Sequence, residues 1–118
     1  DNLKIRSKKF DYIYARFFLH AINYNEENRF LKNIKKISKK NSKIFLEFRT
    51  TKDKLIRSGK AISKYERFHD HYRRFIKVVN FRKKLNLMGF KLIYIRESTN
   101  FAKFKSEKPS ICRLIIKK

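Results

Sequence analysis

The segment ERFHDHYRRFI, residues 66–76, concentrates side chains that can move protons or bind anions. Histidine is the side chain most often used as a general base, so its two histidines, His69 and His71, are candidates for this role. Its arginines can hold carboxylate or phosphate groups through paired hydrogen bonds. These residue types fit three kinds of site: a metal centre, a strip of nucleic-acid-binding surface, or a loop that holds the substrate of an enzyme.

The spacing within the segment bears on each of these interpretations. His69 and His71 with Asp70 lack a third well-spaced metal ligand, and Cys112 is distant in sequence, so a metal site is disfavoured. Aromatic side chains alternate with arginines, which suits base stacking combined with phosphate contacts: Tyr65, Phe68 and Tyr72. In an enzyme loop, the arginines would bind substrate while a histidine takes a proton. The third interpretation is favoured.

Composition limits the class of protein. A chain of 118 residues is long enough for one domain with its own core. The single cysteine excludes an internal disulfide and suggests a reducing, cytoplasmic environment, and no apolar run is long enough to span a membrane. The net charge of +23 invites a nucleic-acid partner. However, residues with A/T-rich codons dominate the chain, so we expect a solvated basic surface rather than a dedicated nucleic-acid site.

The pattern of apolar residues predicts the elements that position the segment. FDYIYA (residues 10–15) is typical of a buried strand, and KIFLEF (43–48) of a second one. Between them, Asn25 is the expected N-cap of a helix with apolar residues at helical spacing up to Ile37. Residues 49–72 suggest a long irregular loop, followed by a helix that ends at Gly89. Residues 91–97 and 111–118 complete the pattern as an antiparallel hairpin, which makes the fold α/β.

This order resembles the C-terminal half of a class I S-adenosylmethionine (SAM)-dependent methyltransferase. FDYIYARFFLHAI is similar to the fourth strand and following turn of that fold, and IFLEFRT to the fifth strand. GFKLIYIRES and ICRLIIKK resemble the sixth and seventh strands. The resemblance implies a Rossmann-like sheet of parallel strands with an antiparallel C-terminal hairpin. Residues 1–118 would then form a single partial domain, with a substrate loop at about 49–75.

The sequence departs from this family in one large respect. The glycine-rich turn that cradles SAM is absent, because the chain has only Gly59 and Gly89 and neither lies in such a turn. We therefore expect the N-terminal cofactor-binding half to lie outside these residues, on the same chain or on another. Without it, FDYIYA would be an exposed apolar edge, and this segment alone would be inactive.

The resemblance also implies roles for individual residues. Ligands bind beyond the carboxyl ends of parallel strands, which here are residues 15–20 and 47–51. The expected cofactor-binding residues are Asp1, Ala15, Arg16, Phe17 and His20. The expected substrate-binding residues are Glu47, Arg49, Arg73, Arg74 and Lys103, and the expected catalytic residues are His69, His71 and Tyr72. Glu47 and Arg49 would point to the same side of their strand and either pair with each other or bind a polar substrate together.

Two functions follow as hypotheses. The first is methyl transfer to a small polar acceptor, with an anionic one favoured and a sugar or lipid head group as its context. The alternative is a non-enzymatic basic module with a methyltransferase-like fold, which binds nucleic acid or a partner protein.

Overall fold

The described residues form two sheets and two helices. The computed structural model describes residues 10–16, 19–101 and 108–118, so Asp1, Phe17 and Lys103 lie outside the described residues. The strands are β1 (Phe10–Arg16), β2 (Ser38–Arg49), β3 (Lys60–Ala61), β4 (Glu66–His69), β5 (His71–Arg74), β6 (Lys91–Ser98) and β7 (Ile111–Lys117). The helices are α1 (Tyr24–Ile37) and α2 (Val78–Leu87), and short 3₁₀ turns cover Leu19–Ala21 and Lys54–Arg57.

The main sheet has the strand order β1-β2-β7-β6. β1 pairs with β2 in parallel, and β7 lies antiparallel between β2 and β6. This arrangement confirms the predicted α/β class and the antiparallel C-terminal hairpin. β2 and β7 are the two internal strands of this order, so both edges of each form hydrogen bonds with a neighbouring strand.

One face of this sheet forms the core. Alternate residues of β2 and β7 point into it, including Ile44, Leu46 and Leu114. They pack against the apolar stripes of α1 and α2, where the rings of Phe48 and Phe81 meet edge to face with centroids 5.0 Å apart. The helices therefore cover one side of the sheet, as the apolar spacing of residues 30–37 and 78–88 predicts.

The start of α1 differs from the prediction by two residues. Asn23, not Asn25, is the N-cap: its Oδ1 accepts the backbone N–H of Glu26 at 2.8 Å, and the Glu26 carboxylate accepts the N–H of Asn23 at 3.0 Å. This reciprocal capping box requires a carboxylate three residues after the cap, and only Asn23 has that spacing to Glu26. α1 also runs directly into β2 at Ser38, so β2 begins five residues before the predicted strand at 43–48.

The predicted irregular loop is instead an ordered insertion, residues 50–77. It contains a second, antiparallel sheet in the order β3-β4-β5. Two residues with positive φ permit its tight turns: Asp70 (φ 66°) joins β4 to β5, and Gly59 (φ 78°) precedes β3. A side chain at Gly59 would meet the Phe68 carbonyl oxygen at 2.7 Å, so this close approach requires glycine. Short polar strands lack the apolar alternation by which strands are recognised, which is why the sequence did not reveal them.

A buried carboxylate joins the insertion to both helices. Glu27 of α1 is 2% exposed, and one of its oxygens accepts Arg74 of β5 at 2.5 Å. Its other oxygen accepts the ammonium group of Lys84 in α2. Because two cations share one buried anion, loss of the anion would leave both without their counter-charge. We call these residues the Glu27 cluster.

The Glu27→Gln variant should therefore lose about 3 kcal/mol of unfolding free energy, because breaking a buried ion pair leaves an uncompensated charge. Urea denaturation measures this loss. Glu97→Gln is the matched control, since Glu97 pairs with Lys52 at 3.6 Å and the Lys52 side chain is 77% exposed. The control should lose less than about 1 kcal/mol. Equal losses in the two variants would contradict a dominant role for the Glu27 cluster.

Candidate active site at the carboxyl ends of the parallel strands

Several of the predicted site residues lie at one edge of the main sheet. β1 and β2 run parallel, so Arg16 and Arg49 end their strands on the same side. His20 lies in the 3₁₀ turn that follows β1, and the insertion begins directly after β2. In open α/β sheets this edge is where ligands bind. We call the region the strand-end cleft.

A buried glutamate organises the side of the cleft opposite the helices. Glu47 is 7% exposed and accepts the Arg16 Nε–H at 3.0 Å and the Arg113 guanidinium through its second oxygen. Arg113 also lies over the ring of Phe101, 4.4 Å from its centroid. Glu47 thus bridges three strands. Arg113 was missed in the sequence because its contact with Glu47 depends on the β2–β7 register, which places the two residues opposite each other.

Arg49 forms an ion pair with Asp53 of the insertion. Its guanidinium donates to Asp53 at 2.8 Å, and both side chains are largely buried. Asp53 also accepts the backbone N–H of Leu55 at 2.9 Å and so begins the 3₁₀ turn of the insertion. Asp53 therefore anchors Arg49 at the base of the insertion. It was not among the site residues predicted from the sequence.

His20 is a neutral histidine in a cationic environment. Its Nδ1 accepts the backbone N–H of Arg49 at 3.4 Å, which leaves Nε2 to carry the proton. Burial, together with the nearby charges of Arg49, Arg73, His71 and Arg74, lowers the pKa of His20 to about 4. The cleft is thus electropositive although its histidine is uncharged.

The two faces of the insertion carry different residues. His69 pairs with His71 across the β4–β5 hairpin, and Arg67 with Arg73, so these four share one face. His71 and Arg73 act electrostatically on His20, and so does Arg74 on the opposite face, so the β4–β5 hairpin lies near the strand-end cleft. His20, Arg49, His71 and Arg73 therefore lie in the same region of the structure.

Two other predicted residues have structural partners on the opposite face. The Tyr72 hydroxyl donates to Glu66 at 2.5 Å, and burial together with this hydrogen bond raises the pKa of Tyr72 well above its usual value. Tyr72 is therefore suited to donate a hydrogen bond rather than to act as a base. Arg74 donates to the carbonyl oxygens of Leu19 and Ile22 as well as to Glu27, which favours a positioning role over the predicted substrate contact.

The remaining predicted positions give less information. Ala15 is buried with its side chain in the core, so only its backbone faces the sheet edge. In the ranges 10–16, 19–101 and 108–118, no group of three His, Cys, Asp or Glu residues is arranged to hold a metal ion. Among the same residues, no helix has the length and apolar character needed to cross a membrane.

The face of the sheet opposite the helices is open and aromatic. Tyr12 and Tyr14 of β1 are 63% and 72% exposed, and the Tyr14 ring stacks on Phe45 with centroids 4.5 Å apart. The register continues this row through Ile115 to Tyr94 on β6. Within the part of the chain that is described, no strand pairs with the outer edge of β1.

Comparisons with known proteins identify the fold. No protein family matches the sequence, and no curated protein matches it either. Solved structures do match. A SAM-dependent methyltransferase from Methanosarcina mazei superposes with a TM-score of 0.78 at 13% identity, over 100% of this chain and 65% of the other. One from Mesorhizobium loti gives 0.71 at 13% identity, over 100% and 67%.

A third structure carries a ligand. The glycopeptide N-methyltransferase MtfA in complex with S-adenosyl-L-homocysteine superposes with a TM-score of 0.65 at 12% identity, over 100% of this chain and 59% of that chain. The chain thus spans about three-fifths to two-thirds of these enzymes. It has the fold of part of a SAM-dependent methyltransferase, in agreement with the resemblance of its sequence to the C-terminal half of the class I enzymes.

Proposed function

We propose that this chain is the acceptor-binding part of a SAM-dependent methyltransferase that methylates a small, polar, anionic acceptor. The observation that carries the proposal is the electropositive strand-end cleft, with Arg49 and Arg73 near the neutral His20, on a sheet with the methyltransferase fold. Open α/β sheets bind their ligands at this edge, and clustered cations favour an acceptor with a carboxylate or phosphate group.

The described residues fit one side of a SAM site. When bound, SAM supplies a methyl group on a positively charged sulfur, and its transfer leaves a neutral thioether. Arg16, at the end of β1 with a side chain 67% exposed, can pair with the carboxylate of the cofactor. The neutral His20 adds no second positive charge beside the sulfonium. Asp1, the Ala15 backbone and Phe17 are further proposed contacts.

The rest of the cofactor site must come from elsewhere. Neither glycine of this sequence follows a strand in the way a SAM-cradling turn requires, because Gly59 lies within the insertion and Gly89 ends α2. No strand of the described residues pairs with the outer edge of β1, and the rings of Tyr12 and Tyr14 are exposed, so this side of the sheet offers surface for pairing and packing. We propose that an N-terminal half, on the same chain or on a separate one, adds a strand beside β1 and brings the glycine-rich turn.

The insertion would supply the acceptor-binding groups. Arg73 binds the anionic group, and Lys103 is a further proposed contact. His71 or His69, both exposed on the face that carries Arg73, removes the proton if the acceptor is a hydroxyl or an ammonium group. The chain's main contribution to rate is alignment, because an in-line displacement with a neutral leaving group needs no general acid. Sugar and lipid head groups are acceptors of this chemical class.

SAM binding should depend on the second half of the domain. Calorimetry on the chain alone should detect no binding, whereas the chain combined with a segment carrying a glycine-rich strand–turn–helix should bind. In the combined protein, Arg16→Ala should weaken SAM binding about tenfold, the usual scale for one charge-assisted contact. Arg57→Ala, at an exposed arginine outside the cleft, is the control. Binding by the chain alone would refute the need for a second half, and no binding by the combined protein would refute the cofactor.

Acceptor binding and proton removal should separate kinetically in the combined enzyme. Arg73→Gln should raise the acceptor KM at least tenfold because it removes a charge that holds the bound acceptor. His71→Asn should instead lower kcat, and a His69→Asn variant tests which histidine acts. Arg57→Gln is the matched control for loss of one arginine charge. Normal turnover and KM in all three cleft variants would refute the assignment of the insertion as the acceptor site.

The neutral state of His20 should make stability depend on pH. The pKa of His20 is about 4 in the folded chain and near 6.5 when the chain is unfolded, so the unfolded state binds more protons between these values. Stability should thus fall as pH drops from 6.5 toward 4, with a slope of up to about 1.4 kcal/mol per pH unit. His20→Asn should flatten the profile in this window, and the exposed His69→Asn serves as control. An unchanged slope in His20→Asn would contradict the buried, neutral state.

A further inference from the structure

A second cavity lies away from the strand-end cleft, between the insertion and the two helices. Its volume is about 690 Å³, within the range of small-molecule sites. Tyr24 and Glu27 of α1 form one wall, Tyr65 and Glu66 of the insertion form the second, and α2 forms the third. Glu66 and Arg74 share one face of the sheet in the insertion, and the predicted catalytic histidines lie on the opposite face.

The base of this cavity is apolar. Phe75, Ile76 and Phe81 line it, each is at most 4% exposed overall, and Ile76 and Phe81 belong to the hydrophobic core. Met88 and Leu87 extend this apolar wall along α2, and Leu87 is 87% exposed. An apolar base beside an exposed leucine provides a surface on which an acyl chain or an aromatic ring can pack.

The mouth of the cavity is cationic. Arg74 and Lys84 share the single negative charge of Glu27, and Lys84 also lies 3.8 Å from the centroid of the Tyr24 ring. Lys77 and Lys83 also line the cavity, are exposed, and have no carboxylate at ion-pair distance among the described residues. Glu66 is the only other acidic lining residue, so four cations line the cavity against two carboxylates.

We propose that this cavity binds an amphipathic anion, with its apolar body on Phe75, Phe81 and Met88 and its carboxylate or phosphate head between Lys77 and Lys83. The site is separate from methyl transfer and uses no residue of the strand-end cleft. Arg74 links the two regions, because it lines the cavity and also donates to the carbonyl oxygens of Leu19 and Ile22 on either side of His20. A bound ligand therefore stabilises the attachment of the insertion.

Met88 provides a local reporter, because it is the only methionine in the chain. The chain labelled with ¹³C at the methionine methyl group is titrated, below micelle concentrations, with decanoate, decyl phosphate, decanol and inorganic phosphate. Both decyl anions should shift the Met88 methyl signal to saturation. Decanol should bind at least tenfold more weakly because it lacks the charge, and inorganic phosphate should leave the signal unchanged because it lacks the apolar body.

Variants test the two lysines. Lys77→Gln combined with Lys83→Gln should weaken decanoate binding about tenfold. The matched control combines Lys36→Gln with Lys91→Gln, which removes the same charge at exposed lysines outside the cavity and should leave the affinity unchanged. A Met88 signal unmoved by both anions, equal affinity for decanol, a response to phosphate alone, or equal affinities of the two double variants would each overturn the proposal. The readout needs neither SAM nor turnover, so it is independent of the proposed function.

Discussion

The structure depends on the pairing of β2 on both of its edges. β1 occupies one edge in parallel and β7 occupies the other in antiparallel orientation, so the backbone groups of β2 are satisfied within this chain. Strand alternation then assigns its side chains: Ile44, Leu46 and Phe48 enter the core, while Phe45 and Glu47 occupy the opposite face. The aromatic row, the arginines around Glu47 and the position of the strand-end cleft all follow from this register.

The second constraint is the attachment of the insertion. Its strands are too short and too polar to form a core of their own, so their position relative to the main sheet depends on a few contacts. Arg74 makes the most extensive of them, because it reaches Glu27 of α1 and the carbonyl oxygens of the turn that contains His20. Asp53 holds the other end through Arg49. Both ends of the insertion are therefore tied to the residues that form the cleft.

The elements that bury apolar side chains could be predicted from the sequence, because burial imposes a period on it. This applies to β1, β2, the two helices and the C-terminal hairpin. The insertion was missed because its short strands are set by turns at Gly59 and Asp70, which leave no apolar alternation. The contacts of the candidate site could not be predicted from the sequence. Arg113, a partner of Glu47, and Glu27, the partner of Arg74, lie 66 and 47 residues away in sequence, and only the fold brings them together.

Amide hydrogen exchange, resolved by NMR for each residue of β1, β2 and β7, tests the central claim most directly. The claim is that β2 is internal to the sheet and that β1, which among the described residues pairs on one edge only, leaves its outer edge unpaired. For the 118-residue chain we expect strong protection of the β2 and β7 amides and alternating protection in β1, where only the N–H groups directed at β2 are bonded. Uniform protection of β1 would show that the strand is already flanked on both sides and would contradict the account.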